Sequence, residues 1–154
     1  MAIVPVQGLW ETHLTVSNLE RSIAFYRDVI GLTLAHRVPE RGAAFFWIGA
    51  PRQAMLGLWS ISTSPLALRL HFAFQVNLDT VIASVAALRQ AGLSPRSGTR
   101  VPIDEPEVIA WVPAASVYFD DPDGHSLEYI AMLPEPARPD LGRMPLSEWR
   151  TMRR

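Results

Sequence analysis

Alternating and helically spaced apolar positions divide the chain into two similar runs. From Trp10 to Val16 the side chains alternate, with Glu11, His13 and Thr15 on one face and Trp10, Thr12, Leu14 and Val16 on the other, as in a strand. Ser17, Asn18, Leu19 and Glu20 then form a capping-box pattern. After it, Leu19, Ile23, Tyr26 and Ile30 recur at helical spacing until Gly31 supplies a stop. Three strand-like segments follow, around Thr33 to Arg37, Ala43 to Ile48 and Ala54 to Ser60, separated by turns of Pro, Glu, Arg, Gly and Ala. This run reads βαβββ.

Ser62, Thr63, Ser64 and Pro65 make a short polar linker, and the pattern then starts again. Leu68 to Val76 alternates with Arg69, His71, Ala73 and Gln75 on one face, and Asn77 to Gly92 carries Leu78, Val81, Ile82, Val85 and Leu88 at helical spacing. HLTVSNLERSIAFYRDVIGL from His13 aligns with HFAFQVNLDTVIASVAALRQAGL from His71 once insertions are allowed, so the chain contains an internal βαβββ repeat. The remaining strands of the second copy are expected near Arg96 to Arg100, Val108 to Val112 with Ala115 to Phe119, and Ser126 to Met132, with a Pro- and acid-rich loop from Arg100 to Glu107. The modules run from about 8 to 61 and from about 67 to 133, giving an α+β fold. Residues 134–154 are proline-rich and basic-ended, and are expected to lie over the surface or reach a neighbouring subunit rather than join the core.

Composition removes several function classes. The chain has 154 residues, 49% of them hydrophobic, and a formal net charge of −1, which indicates neither disorder nor electrostatic affinity for nucleic acid. All of its basic side chains are Arg. Without Lys there is no Schiff-base chemistry and no GK[ST] phosphate loop. Without Cys there is no disulfide framework and no thiolate metal site, so any metal must be held by His, Asp and Glu. The start MAIVPVQGLWE has no basic flank, and no apolar run reaches membrane-spanning length; the expected location is the cytoplasm, with no membrane partner.

The stretch ASVYFDDPDGHSLEYIA, Ala115 to Ala131, holds a strand, a turn and a second strand in which Glu128 is a carboxylate among largely apolar residues. A lone strand Glu is ordinarily solvated, because charges are rarely buried unless paired or on a metal. His13 and His71 change that reading, since they occupy equivalent places in the first strands of the two repeats and pairing the repeats would bring them to Glu128. Two His and one carboxylate suit a divalent ion with open positions, without selecting among Zn, Ni, Mn, Co and Fe.

The HLTV strand followed by SIAFYRDVIGL, together with YFDDPDGHSLE, resembles the vicinal oxygen chelate superfamily over about Leu9 to Leu133. This superfamily contains glyoxalases, fosfomycin resistance proteins, epimerases and extradiol dioxygenases. The resemblance implies one glyoxalase-like domain over 1–133 with cupped mixed sheets, a metal on His13, His71 and Glu128, a small oxygen-rich substrate such as a thiol conjugate, and a homodimer. Glyoxalases supply a further Glu or Gln from the last strand of repeat one; here Gly57 is expected at that place, with Glu11, on the face of His13, as a substitute. Thr15, Ser116 and Tyr118 match the substrate-contacting Thr, Ser and Tyr of fosfomycin resistance proteins, which makes Thr15 and Ser116 candidate substrate contacts and Tyr118, with Glu11, a candidate proton-handling group. Trp47, Trp59 and Trp111 are expected on strands that wall an apolar pocket. The leading expectation is a lyase or isomerase of lactoylglutathione-lyase type. The alternatives are a fosfomycin-type thiol transferase or hydrolase, an extradiol ring-cleaving dioxygenase, and a metal-free drug-binding protein of bleomycin-resistance type.

Overall fold

The structure is a computed structural model in which residues 8–60 and 68–152 are described. The linker read at Ser62 to Pro65 lies outside them. The chain divides into two compact units, Met1–Leu68 and Arg69–Arg154.

In the first unit, β1 (Glu11–Val16), α1 (Leu19–Ala24), β2 (Thr33–Val38), β3 (Ala43–Ile48) and β4 (Ala54–Ser60) follow the expected order. The described strands form one sheet in the order β1-β4-β3-β2, with β1 parallel to β4 and the other pairs antiparallel. Alternation sends Leu14, Val16, Ala44, Phe46, Leu56 and Leu58 into the core, where Ile23, Phe25 and Tyr26 are also buried. The helix departs from the sequence reading at both ends. Asn18 rather than Ser17 is the cap, its Oδ1 accepting from the Arg21 N–H at 3.0 Å, while Glu20 pairs with Arg37. Past Ala24 the helix widens into a π-helical turn, Phe25–Val29, which the Ile30 N–H closes on the Phe25 carbonyl. This turn lets the consecutive rings of Phe25 and Tyr26 both be buried. Gly31 then ends it at φ +81°.

The second unit contains β5 (His71–Gln75), α2 (Leu78–Gln90), β6 (Glu107–Ile109), β7 (Ala114–Asp120), β8 (Ser126–Met132), β9 (Arg143–Pro145) and α3 (Leu146–Thr151). Its sheet runs β5-β8-β7-β6-β9, again with the first strand of the repeat parallel to the last. Asn77 caps α2, which packs across β7 and β8 with Val81, Val85 and Leu88 buried.

Two expectations fail here. No strand runs from Arg96 to Arg100. Arg96 alone bridges Tyr118 and Pro102, and β6 takes the rest of the edge of β7, because the 100–107 loop interrupts what would have been one strand. The described part of the last segment, 134–152, is not a surface tail either. Arg143, Met144 and Pro145 pair with Ile109, Val108 and Glu107, and Met144, Leu146 and Trp149 are buried. The prolines at 134, 136 and 139 precede these elements and leave the later apolar residues free to enter the core.

Candidate metal and substrate site

The second unit gathers most of the candidate chemistry on the sheet face opposite α2. The DDPDG turn orders β7 and β8: Asp121 Oδ1 accepts from the Asp123 and His125 N–H groups at 2.9 and 2.8 Å, and Gly124 takes φ +81°. His125 is buried and its Nδ1 accepts from the Leu70 N–H at 3.1 Å, tying the turn to the start of β5. It is a structural residue.

Beyond the turn, Glu128 lies beside Ala73 on β5 and Tyr118 on β7, and is 3% exposed. Its Oε1 accepts the Ser116 hydroxyl, and its Oε2 lies 3.3 Å from His71 Nε2. His71 Nδ1 is 2.9 Å from the Ser126 carbonyl oxygen. A carbonyl only accepts, so Nδ1 donates to it and Nε2 is left facing the carboxylate. A ring nitrogen and a carboxylate oxygen at that distance are bridged by a cation, a proton or a metal ion. Fixing the far nitrogen of an imidazole on a carbonyl is the arrangement that orients metal-binding His. The donor set therefore fits a divalent ion. Ser116, expected to touch substrate, is wholly buried and spends its hydroxyl on Glu128, so it holds the carboxylate in place instead.

Tyr118 stacks on His71, with ring centroids 5.7 Å apart. Burial raises its pKa above the ordinary phenol value, and the nearby Glu128 charge adds to this against the opposing effect of Arg143. At neutral pH it is a phenol, a donor rather than a base. The guanidinium groups of Arg96 and Arg143 each lie 5.8 Å from its ring centroid. The sequence reading missed both. Arg96 follows a helix and a proline with no repeating pattern, and Arg143 lies in the segment assigned to the surface.

In the first unit, His13 Nε2 is 3.5 Å from Glu11 Oε2. The His13 ring sits against Gly57: a Cβ there would lie 2.6 Å from His13 Cδ2. Phe45 and Trp59 flank the ring, with centroids at 5.9 and 5.7 Å. Strand register corrects the place of the missing fourth ligand. Trp59 pairs with Thr15, two residues past His13, as Glu128 pairs with Ala73, two residues past His71. Trp59, rather than Gly57, is the counterpart of Glu128. Its Nε1 is buried with no partner among the described residues, and the Arg41 guanidinium lies 4.6 Å from its ring centroid. Thr15 is exposed on the same face as His13. Trp47 is half-buried on that face, beside Met55. Trp111 is not on a strand but in the turn before β7, and it is 63% exposed. Among the described residues, three His, Asp or Glu side chains gather nowhere in a metal-binding cluster. No described helix is long and apolar enough to cross a membrane.

The sequence profile of the Glyoxalase/Bleomycin resistance protein/Dioxygenase superfamily matches residues 8–129. An integron cassette protein from the mobile metagenome of a Halifax Harbour sewage outfall is similar at 30% identity and TM-score 0.69, over 82% of this chain and 100% of its own. A glyoxalase/bleomycin resistance protein/dioxygenase from Nocardioides is similar at 25% identity and TM-score 0.65, over 90% of this chain and 92% of its own. A lactoylglutathione lyase from Agrobacterium tumefaciens shares the fold at 22% identity and TM-score 0.64, over 83% of this chain and 96% of its own. The repeated βαβββ order, the HLTV and DPDGHSLE segments, and the match over most of the chain agree: this protein belongs to the glyoxalase/bleomycin resistance protein/dioxygenase superfamily.

Proposed function

We propose that the chain is a divalent-metal-dependent enzyme acting on a small oxygen-rich substrate, a lyase or isomerase of lactoylglutathione-lyase type, with His13, His71 and Glu128 as metal ligands. The observation that carries this reading is the locked His71 ring, its Nε2 aimed at a buried carboxylate. His13 enters as the ligand implied by family resemblance, and Zn, Ni, Mn, Co and Fe are all compatible with the donor set.

The bound ion would supply Lewis-acid stabilisation of negative charge developing on a substrate oxygen. The chain's own groups divide the remaining work. Ser116 and the Ser126 carbonyl fix Glu128 and His71. Tyr118 offers a phenolic proton beside Glu128, and Glu11 offers a half-exposed carboxylate able to accept one. Thr15, with the indole of Trp59 beside it, contacts substrate. The reading includes a homodimer in the cytoplasm, with the dimer open to test by light scattering at micromolar concentration.

Gly57 gives this reading a local test. In Gly57→Ala the new methyl group meets the imidazole, so His13 swings aside, and metal affinity is expected to fall about 10-fold or more with little loss of stability. Unchanged affinity would remove His13 from the ligand set. The reaction is tested by a metal-reconstituted activity screen of glutathione hemithioacetals, of fosfomycin with and without thiol, and of catechols with oxygen. Isomerisation of a hemithioacetal is expected. Turnover of catechol alone, or tight binding of an intact drug without turnover, would replace the reading.

A further inference from the structure

Beside the His71–Glu128 pair, in the second unit alone, lies a cleft of about 290 Å³ lined by Arg96, Arg100, Arg143, Tyr118 and His71. We propose that this cleft is an oxyanion subsite that binds a carboxylate or phosphate-type group of the substrate. The proposal deepens the reading above by naming the charge its substrate carries.

Arg96 donates to Asp120 Oδ1 at 2.5 Å and to the Ser126 hydroxyl at 2.8 Å, and Arg100 lies 3.8 Å from the other oxygen of the same carboxylate. Arg143 donates to Glu107 Oε1 at 2.7 Å, and that oxygen also accepts the Gly98 N–H. Glu128, the third carboxylate of the face, is turned to His71 and Ser116. Three guanidinium groups thus share two carboxylates, Asp120 and Glu107. Each guanidinium has five N–H donors, and even with the Arg96 bond to the Ser97 carbonyl counted, donors are left unused.

Burial sharpens the point. Arg96 is only 8% exposed, and its Nε has no partner among the described residues. A charge held that far from water is expensive unless its surroundings are anionic or an anion joins it. Arg100 and Arg143 are 54% and 38% exposed at their side chains, so their free donors remain open to an incoming group. Guanidinium forks match the paired oxygens of carboxylate and phosphate.

Gly98 completes the site. A Cβ there would lie 2.5 Å from Arg143 Nη1 and 3.1 Å from Glu107 Oε1, so the glycine keeps open the ground on which the guanidinium lies. Because the clash is with the end of a flexible side chain, Gly98→Ala moves Arg143 without disturbing the sheet. The cleft shares His71 and Tyr118 with the proposed metal site, so a substrate with its anionic group here has its neighbouring oxygens beside His71 and Glu128.

The test is titration of the chelator-treated full chain with inorganic phosphate and, separately, with pyruvate, read by calorimetry and by the Tyr118 ring resonances. Saturable binding of at least one probe is expected, and the tighter of the two identifies the group as phosphate-like or carboxylate-like. Arg143→Gln and Arg100→Gln should each weaken it about tenfold or more, Arg143→Lys should recover part of the loss, and Gly98→Ala should act like Arg143→Gln. Thermal melting checks that each variant is folded, and the exposed Arg100 position stands in should Arg143→Gln not fold. Absence of saturable binding to both probes at tens of millimolar, or binding unchanged in Arg100→Gln and Arg143→Gln, would overturn the proposal. Since no metal is added, either result leaves the metal reading to be judged on its own titration.

Discussion

Replacing Glu128 with alanine is expected to lower divalent-metal affinity by about 100-fold or more, and His71→Ala to do the same, because either change leaves too few ligands to hold a borderline ion. Glu128 is the more informative of the two. It is buried, and one of its oxygens is held by Ser116 while the other faces His71 Nε2. Ser116→Ala leaves every ligand in place but frees the carboxylate to rotate, so its effect should be smaller, about 10-fold. Calorimetric titration of the three variants against the parent would show this order. Equal affinities in all four proteins would mean that the pair is a structural contact.

Trp149→Ala should destabilise the protein by about 3–5 kcal/mol, the usual range for removing a buried tryptophan. Trp149 is 4% exposed on α3, its indole N–H reaches Glu135 Oε2 at 3.4 Å, and α3 packs on β6 and β9. Urea denaturation provides the measurement. A change below about 0.5 kcal/mol, the range of surface substitutions, would mean that residues 134–152 lie on the unit rather than in it. The same change should also weaken the oxyanion subsite, since β9 carries Arg143.

β1 was legible from its alternation and β4 from an apolar run bounded by turn residues, and His13, His71 and Glu128 stood out as polar residues on largely apolar strands. Register was not legible. Whether Gly57 or Trp59 is the counterpart of Glu128 depends on how β1 pairs with β4, which side-chain alternation along one strand does not state. β9 and α3 span three and six residues, too short for a periodic signal, and prolines precede them. Arg96 holds its place through one bridge to Tyr118 rather than through a strand. The metal-ligand candidates could therefore be read from the sequence, whereas the guanidinium groups around them could not. Those groups come from short or irregular segments whose position is set by tertiary packing.

The central claim is that His71 and Glu128 hold a divalent ion. The most direct test is calorimetric titration of Mn(II), Zn(II), Ni(II), Co(II) and Fe(II) into the chelator-treated full chain, with His71→Ala as the control. The account predicts saturable binding of at least one ion at close to one equivalent per chain, lost in the control; no saturable binding of any of the five, or the same binding in His71→Ala, would contradict it.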